Sequence, residues 1–203
     1  MSSPEKSLSF KVIDRSVAYQ GFTRLEVLDI EQISRSGAIL RLRREIETHG
    51  NGAAVLAFDA AQKQAVLVRQ LRVPVGLALS DDAYLLEVIA GLIDKPSDDP
   101  AMTARREAME EAGLRLATLI PVGAPFATPG ISTERLWLFL AEIDLDHDRI
   151  AAGGGLEQED EDIEVVILPL ARLAQMAENG EILDLKTLTL VQSLRLKRPE
   201  LFV

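Results

Sequence analysis

The chain predicts an α/β sandwich on a mixed sheet, preceded by a small antiparallel β subdomain. Three observations predict it. Between residues 10 and 46, apolar and polar residues alternate in three successive runs separated by turn signals. From residue 47 on, strand-like runs interleave with one capped helix and end in two more, an order that places helices over a sheet. The length, 203 residues of which 47% are hydrophobic, suffices for one sizeable core plus a small appendage. The expected division is therefore 1–46 for the β subdomain and 47–203 for the main domain.

Composition narrows the function. Aromatic residues make up only 4%, so aliphatic packing must carry the interior. Acidic residues number 32 against 22 basic ones, a net charge of −10 that disfavours non-specific nucleic-acid binding. Cysteine is absent, which excludes disulfides and thiolate zinc sites and suits a reducing compartment. The start MSSPEKSLSF has no apolar signal core, and no run reaches the roughly 18 apolar residues of a membrane span. The expectation is a cytoplasmic protein with neither nucleic acid nor membrane as partner.

The elements follow in order. FKVIDRSVAY, FTRLEVLDIEQI and AILRLRREIET read as three strands, with turns near Gly21 and at Ser34–Gly37. Each has one apolar face and three strands cover little, so they need a partner surface. His49-Gly50-Asn51-Gly52 is a turn. AAVLAFD and QAVLVRQLRVP then form a hairpin, with Val66 and Val68 on one face and Leu67 and Arg69 on the other. GLALSDDA reads as a surface loop and YLLEVIAG as a returning strand. Asp99 followed by Pro100 is an N-cap with proline at the first helical position, and Gly113 is the stop. LATLIPVGAPFA and RLWLFLAEID read as strands joined through TPGISTE. A glycine-rich then acidic loop precedes the buried strand IEVVILPL, and two helices, 170–179 and 185–196, close the chain. His49 and His147 read as surface or turn residues, and Trp137 as packing within its strand.

The helix between Asp99 and Gly113 carries the chemistry. Ala101, Ala104, Ala108 and Ala112 form a small-residue stripe that lets it sit close on a sheet. Beside the stripe, Glu107, Glu110 and Glu111 crowd at i, i+3 and i+4, where like charges cost about 0.2–0.5 kcal/mol per pair. On spacing alone this suits either a solvated acidic face or the oxygen-ligand cradle that a hard divalent cation prefers.

Gly91, then REAMEEAGL at 106–114, resembles the Nudix box: glycine, loop, acid, then R-E-aliphatic-x-E-E-x-G-aliphatic. Ala108 stands where a larger aliphatic is usual. The span from Gly91 to Arg106 is one residue longer than the usual spacing, so the loop acid falls on Asp98 or Asp99. The resemblance extends over most of residues 44–196, through RREIETHGNGAAVL, VLVRQLRVP, LLEVIAGLID, TPGISTE and GGGLEQEDEDIEV. It points to the branch of Nudix hydrolases that cleaves nucleoside-diphosphate sugars, namely the GDP-mannose and ADP-ribose pyrophosphatases.

That resemblance implies a Nudix α/β/α sandwich, a homodimer joined through the N-terminal strands, and two or three magnesium ions, with manganese as a substitute. It implies Glu107 and Glu111 as the principal metal ligands, Glu110 as an additional ligand or catalytic water contact, the carbonyl of Ala90 as an extra ligand, and Arg106 as the residue holding the box acids. The acidic loop supplies Glu159 as general base and Glu161 as a further ligand, with glycines 153–155 as hinges. Arg44, Arg69 and Arg72 match substrate contacts, suited to phosphate by their planar guanidinium forks. Glu87, Ser132 and Glu134 complete the expected substrate set, with Thr133 beside them. The triple glycine before EDEDIEV, HGNGAAVL and GEILDLKT incline the substrate toward GDP-mannose; ADP-ribose is the alternative, and a non-catalytic nucleotide-binding module the reading from another class.

Overall fold

The computed structural model describes residues 9–79, 82–93, 95, 97–155 and 162–203. The chain divides into two compact units, 1–50 with 126–134, and 51–125 with 135–203.

The first unit is a meander of β1 (Phe10–Gln20), β2 (Arg24–Ile33) and β3 (Ile39–Thr48), antiparallel throughout. The three alternating runs become these three strands. Leu28, opposite Arg15 and Arg44, is buried, whereas Ile13, Val17, Tyr19, Ile33 and Ile39 are exposed. Three strands cannot enclose a core alone, so much of their apolar side-chain surface stays at the surface. Segment 126–134 docks on β3 through the Glu47 N–H to Ile131 O at 2.8 Å and the Thr133 N–H to Glu47 O at 3.1 Å.

The second unit is a seven-stranded mixed sheet. Its centre is β4 (Gly52–Asp59), buried along its whole length. Period-2 alternation sends Ala53, Val55 and Ala57 to one core and Ala54, Leu56 and Phe58 to the other. β5 (Gln64–Leu71) does the same, with Val66 and Val68 in the first core and Leu67 in the second. β9 (Leu136–Glu142) lies parallel to β4, β8 (Ile120–Gly123) pairs with β9, and β10 (Glu164–Pro169) pairs with β5. Helix α2 (Pro100–Ala112) covers the first core; α4 (Leu170–Glu178) and α5 (Leu185–Lys197) cover the second. The order is an α/β sandwich, as the sequence patterning predicts, with helices on both faces of the sheet, as the family resemblance implies.

The structure departs from that patterning in four places. Val73–Leu79 is a short helix, α1, rather than strand end and loop, and none of its residues is buried. The run YLLEVIAGL is two strands, β6 (Tyr84–Glu87) and β7 (Ile89–Leu92), broken at Val88. β4 and β5 pair over only three residues before parting; β6 then pairs with β5 and β7 with β4, so one stretch of chain serves both. β10 is half-buried, since it pairs with β5 alone and ends the sheet. Leu145–Asp148 forms one helical turn, α3, capped by Asp144.

Candidate active site

Helix α2 is fixed at both ends by local chemistry. Asp99 is its N-cap, accepting the Ala101 N–H at 2.9 Å, and Pro100 opens the first turn. Gly113 adopts φ +66°, a left-handed C-cap, and the Leu114 N–H reaches Ala108 O at 2.8 Å. Both candidate loop acids are engaged locally, since Asp98 Oδ2 accepts the Lys95 N–H at 3.2 Å. Ala104, Ala108 and Ala112 are fully buried, so the helix backbone rides close over the sheet; a larger residue at 108 would crowd it.

That close seat takes two of the three glutamates out of water. Glu107 is 8% exposed and Glu111 2%, whereas Glu110 is half-buried. Glu111 Oε2 accepts the Ala90 N–H from β7 at 3.2 Å. Arg106 spans the other two, 2.7 Å from Glu107 Oε1 and 2.9 Å from Glu110 Oε2, and also donates to Leu92 O at 3.4 Å. A Cβ on Gly91 would intrude on the Glu107 carboxylate, so the absent side chain makes the space in which that carboxylate lies. The helix end is tied to the triple glycine: the Gly154 N–H donates to Glu111 O at 2.8 Å and the Gly155 N–H to Glu110 O at 3.2 Å. Gly153, Gly154 and Gly155 all have positive φ, as this close approach requires. They cap the turn bearing Glu110 and Glu111, a task beyond the hinge role the sequence suggests.

A divalent cation fits the chemistry of this face. The donors are hard carboxylate oxygens, two of them buried, beside a glycine-lined gap. Among the described residues no three acidic or imidazole side chains converge into a ready-made cage, and Arg106 engages Glu107 and Glu110.

Glu87 lies where β6 gives way to β7 and is 1% exposed. Arg72 grips it with Nε to Oε1 at 2.5 Å and Nη2 to Oε2 at 3.1 Å, and Lys186 of α5 donates to the same Oε2. Burial pushes the Glu87 carboxyl up, but the Arg72 hydrogen bond and the charges of Lys186 and Arg72 outweigh it and hold the group below its ordinary value. Lys186 also meets Asp184 at 3.0 Å. Asp184 N-caps α5 through the Thr187 N–H at 2.9 Å, and Thr187 Oγ1 accepts the Val88 N–H at 2.8 Å. The network pins the start of α5 to the strand break. The Glu111 charge also supports that of Arg72, so the two acidic groupings share a field.

The remaining sequence candidates fall in separate places. Arg69 is exposed and 3.7 Å from Glu164 across the β5–β10 pairing. Arg44 is exposed on β3 and donates to Arg43 O at 2.9 Å. Ser132 Oγ accepts the Glu134 N–H at 3.1 Å, and Glu134 lies 3.4 Å from His49 in the first unit. Glu159 and Glu161 lie outside the described residues. Trp137 packs at the edge of the first core with the Arg135 guanidinium 5.1 Å from its ring centroid, and His147 is exposed beside Asp144. Sequence reasoning missed Lys186 and Asp184, whose signal was the capping pattern Asp184-Leu185-Lys186-Thr187 inside GEILDLKT. It also missed the pairing of His49 with Glu47 of β3, 2.7 Å away and two residues earlier in the chain.

The NUDIX domain family model matches residues 48–189. The GDP-mannose pyrophosphatase of Salmonella arizonae is 36% identical over 190 residues, 94% of this chain and 97% of that protein. The GDP-mannose pyrophosphatase of Cronobacter sakazakii is 36% identical over 191 residues, again 94% and 97%. Among solved structures, one described as an ADP compounds hydrolase superposes with a TM-score of 0.74 at 19% identity, covering 98% of this chain and 100% of its own; that likeness concerns the fold.

Proposed function

The chain belongs to the Nudix hydrolase family, and from that membership we propose that it is a cytoplasmic enzyme hydrolysing the pyrophosphate bond of a nucleoside-diphosphate sugar, GDP-mannose foremost, to a nucleoside monophosphate and a sugar phosphate. The observation that carries the reading is the burial of Glu107 and Glu111 on the box helix, beside the space left by Gly91. Buried carboxylates persist where something neutralises them, and Arg106 is engaged by two acids at once. Relatives bearing the GDP-mannose pyrophosphatase name span nearly the whole chain, which supports that sugar nucleotide over ADP-ribose.

When bound, magnesium, as two or three ions or with manganese in its place, would supply charge neutralisation at the phosphate oxygens and a more acidic attacking water. Glu107, Glu110, Glu111 and the Ala90 carbonyl would hold it, with Glu161 joining them, and Glu159 would take the water proton; these last two assignments rest on the sequence alone. Arg106 keeps the carboxylates in place between turnovers, since its fork fits both of its partners. Arg72 is held rigidly by Glu87, and its preset guanidinium suits a diphosphate oxygen. Lys186, tied to the same carboxylate, offers a second cation from α5. Arg44, Arg69, Ser132 and Glu134 are assigned to substrate from the resemblance.

Residues 10–46 are read as the surface that pairs with a second copy, supported by exposed Ile13, Val17, Tyr19, Ile33 and Ile39. A single-copy mass by light scattering would overturn that pairing. A substrate panel with magnesium tests the activity. Preferential release of GMP from GDP-mannose is the expected outcome, and preferential AMP from ADP-ribose overturns the sugar assignment. Tight nucleotide binding with no product from any sugar nucleotide overturns hydrolysis itself.

A further inference from the structure

A separate grouping of titratable side chains lies in the first unit, at the end of β3. His49 Nδ1 is 2.7 Å from Glu47 Oε1, and its Nε2 is 3.4 Å from Glu134 Oε1. The ring is partly buried, and the exposed Phe22 from the β1–β2 turn stacks on it with centroids 6.2 Å apart and planes at 23°. Glu47 belongs to β3, whereas Glu134 closes the segment Phe126–Glu134 that docks on that strand. The dock is slender: an isolated parallel bridge of Glu47 with Ser132, two backbone hydrogen bonds, a side-chain hydrogen bond between Glu47 and Ser132, and a 3.1 Å contact between the Thr48 and Thr133 hydroxyls.

Both ring nitrogens of His49 therefore face carboxylates, which only accept. A neutral imidazole has one N–H and one lone pair, so it satisfies one carboxylate and repels the other; the imidazolium donates to both. We propose that His49 is a positioning residue, a pH-sensitive clasp that as imidazolium ties Glu134 to Glu47 and holds residues 131–134 against β3. Its effect on turnover rests on the reading of Ser132 and Glu134 as substrate contacts. The charged groups facing the ring are Glu47 from β3 and Glu134 from the docked segment; Phe22 adds no charge. Burial of the ring works against its charge, but the Glu47 hydrogen bond and the Glu134 and Glu47 charges hold its pKa above the ordinary histidine value. Burial likewise opposes the Glu47 charge, and the Ser132 and His49 hydrogen bonds bring it below the ordinary carboxylate value. The sign follows. The clasp is fully formed below the ordinary histidine value while both carboxylates stay ionised, and is lost as pH rises through the raised one.

The test uses the full chain and two variants, His49→Gln, which loses the charge, and His49→Arg, which keeps it at every pH. Hydrogen-exchange protection factors for 126–134 are the substrate-independent readout. In the parent, protection should fall as pH rises through the His49 titration, followed by NMR beside the single other histidine, His147. It should be low throughout in His49→Gln and high throughout in His49→Arg. KM for GDP-mannose should follow the same pattern, about fivefold higher in the open state, with kcat tracking the parent. Protection independent of pH, or equal in the parent and His49→Gln, overturns the clasp. Protection that shifts with pH while KM does not leaves the clasp standing and overturns the assignment of Ser132 and Glu134 to substrate.

Discussion

Two groups of buried carboxylates meet the β6–β7 stretch, and they are compensated differently. Around Glu87 two carboxylates, Glu87 and Asp184, meet two cations, Arg72 and Lys186, drawn from either side of Glu87 in the chain. On α2, Glu107 and Glu110 share the Arg106 guanidinium, while Glu111 meets the Ala90 amide. The first arrangement is an internal ion cluster that locks α5 to the sheet. The second gathers three carboxylates on one helix face around the Arg106 guanidinium, the kind of oxygen-donor set that a hard divalent cation takes. The difference teaches that burial alone does not distinguish the two groups; how many carboxylates gather around each paired cation does.

Substitutions at the two groups should separate activity from stability. Glu111→Gln is expected to lower turnover by several powers of ten with little change in the unfolding midpoint, because it also relieves repulsion from Glu107 and Glu110. Steady-state kinetics beside urea unfolding measure the pair, and parental turnover would remove Glu111 from the site. Glu87→Gln should do the reverse in stability, costing about 3–5 kcal/mol, since Arg72 and Lys186 are left facing a neutral group. Its pH signature has a definite sign. The depressed Glu87 pKa contributes stability that is fully present above the ordinary carboxylate value and is lost as pH falls through the lowered one, so the variant should unfold with a shallower acid limb than the parent.

Smaller effects sharpen the same contrast. Gly91→Ala places a methyl on the Glu107 carboxylate and should weaken magnesium binding about tenfold while the fold persists. Asp99→Ala removes a cap and should cost about 1 kcal/mol, with catalysis retained by the folded fraction. A loss of turnover in Asp99→Ala beyond the unfolded fraction would return the loop acid to the chemistry.

What was legible in the sequence was local. The ends of α2 could be read to the residue because Asp99, Pro100 and Gly113 act within one turn of themselves. The two faces of β5 were legible, with Val66 and Val68 on one side and Leu67 on the other, an arrangement that the sandwich preserves. The α1 helix was hidden because VPVGLAL has no polar face to set a helical period, and it buries nothing. The break at Val88 was hidden because it comes from the divergence of β4 and β5, a property of the sheet. Lys186 and Glu87 meet across 99 positions, and His49 and Glu134 across a comparable span, so no local pattern could join them. The acids of the box were legible as a motif, but their burial was settled by the alanine stripe seating α2 on the sheet.

The most direct measurement is a calorimetric magnesium titration of the parent, Glu111→Gln and Glu87→Gln under conditions where all three are folded. Binding lost in Glu111→Gln and kept within a small factor in Glu87→Gln is the expected result. Unchanged binding in Glu111→Gln, or equal loss in both variants, would contradict the division between a metal-binding helix face and a self-compensated ion cluster.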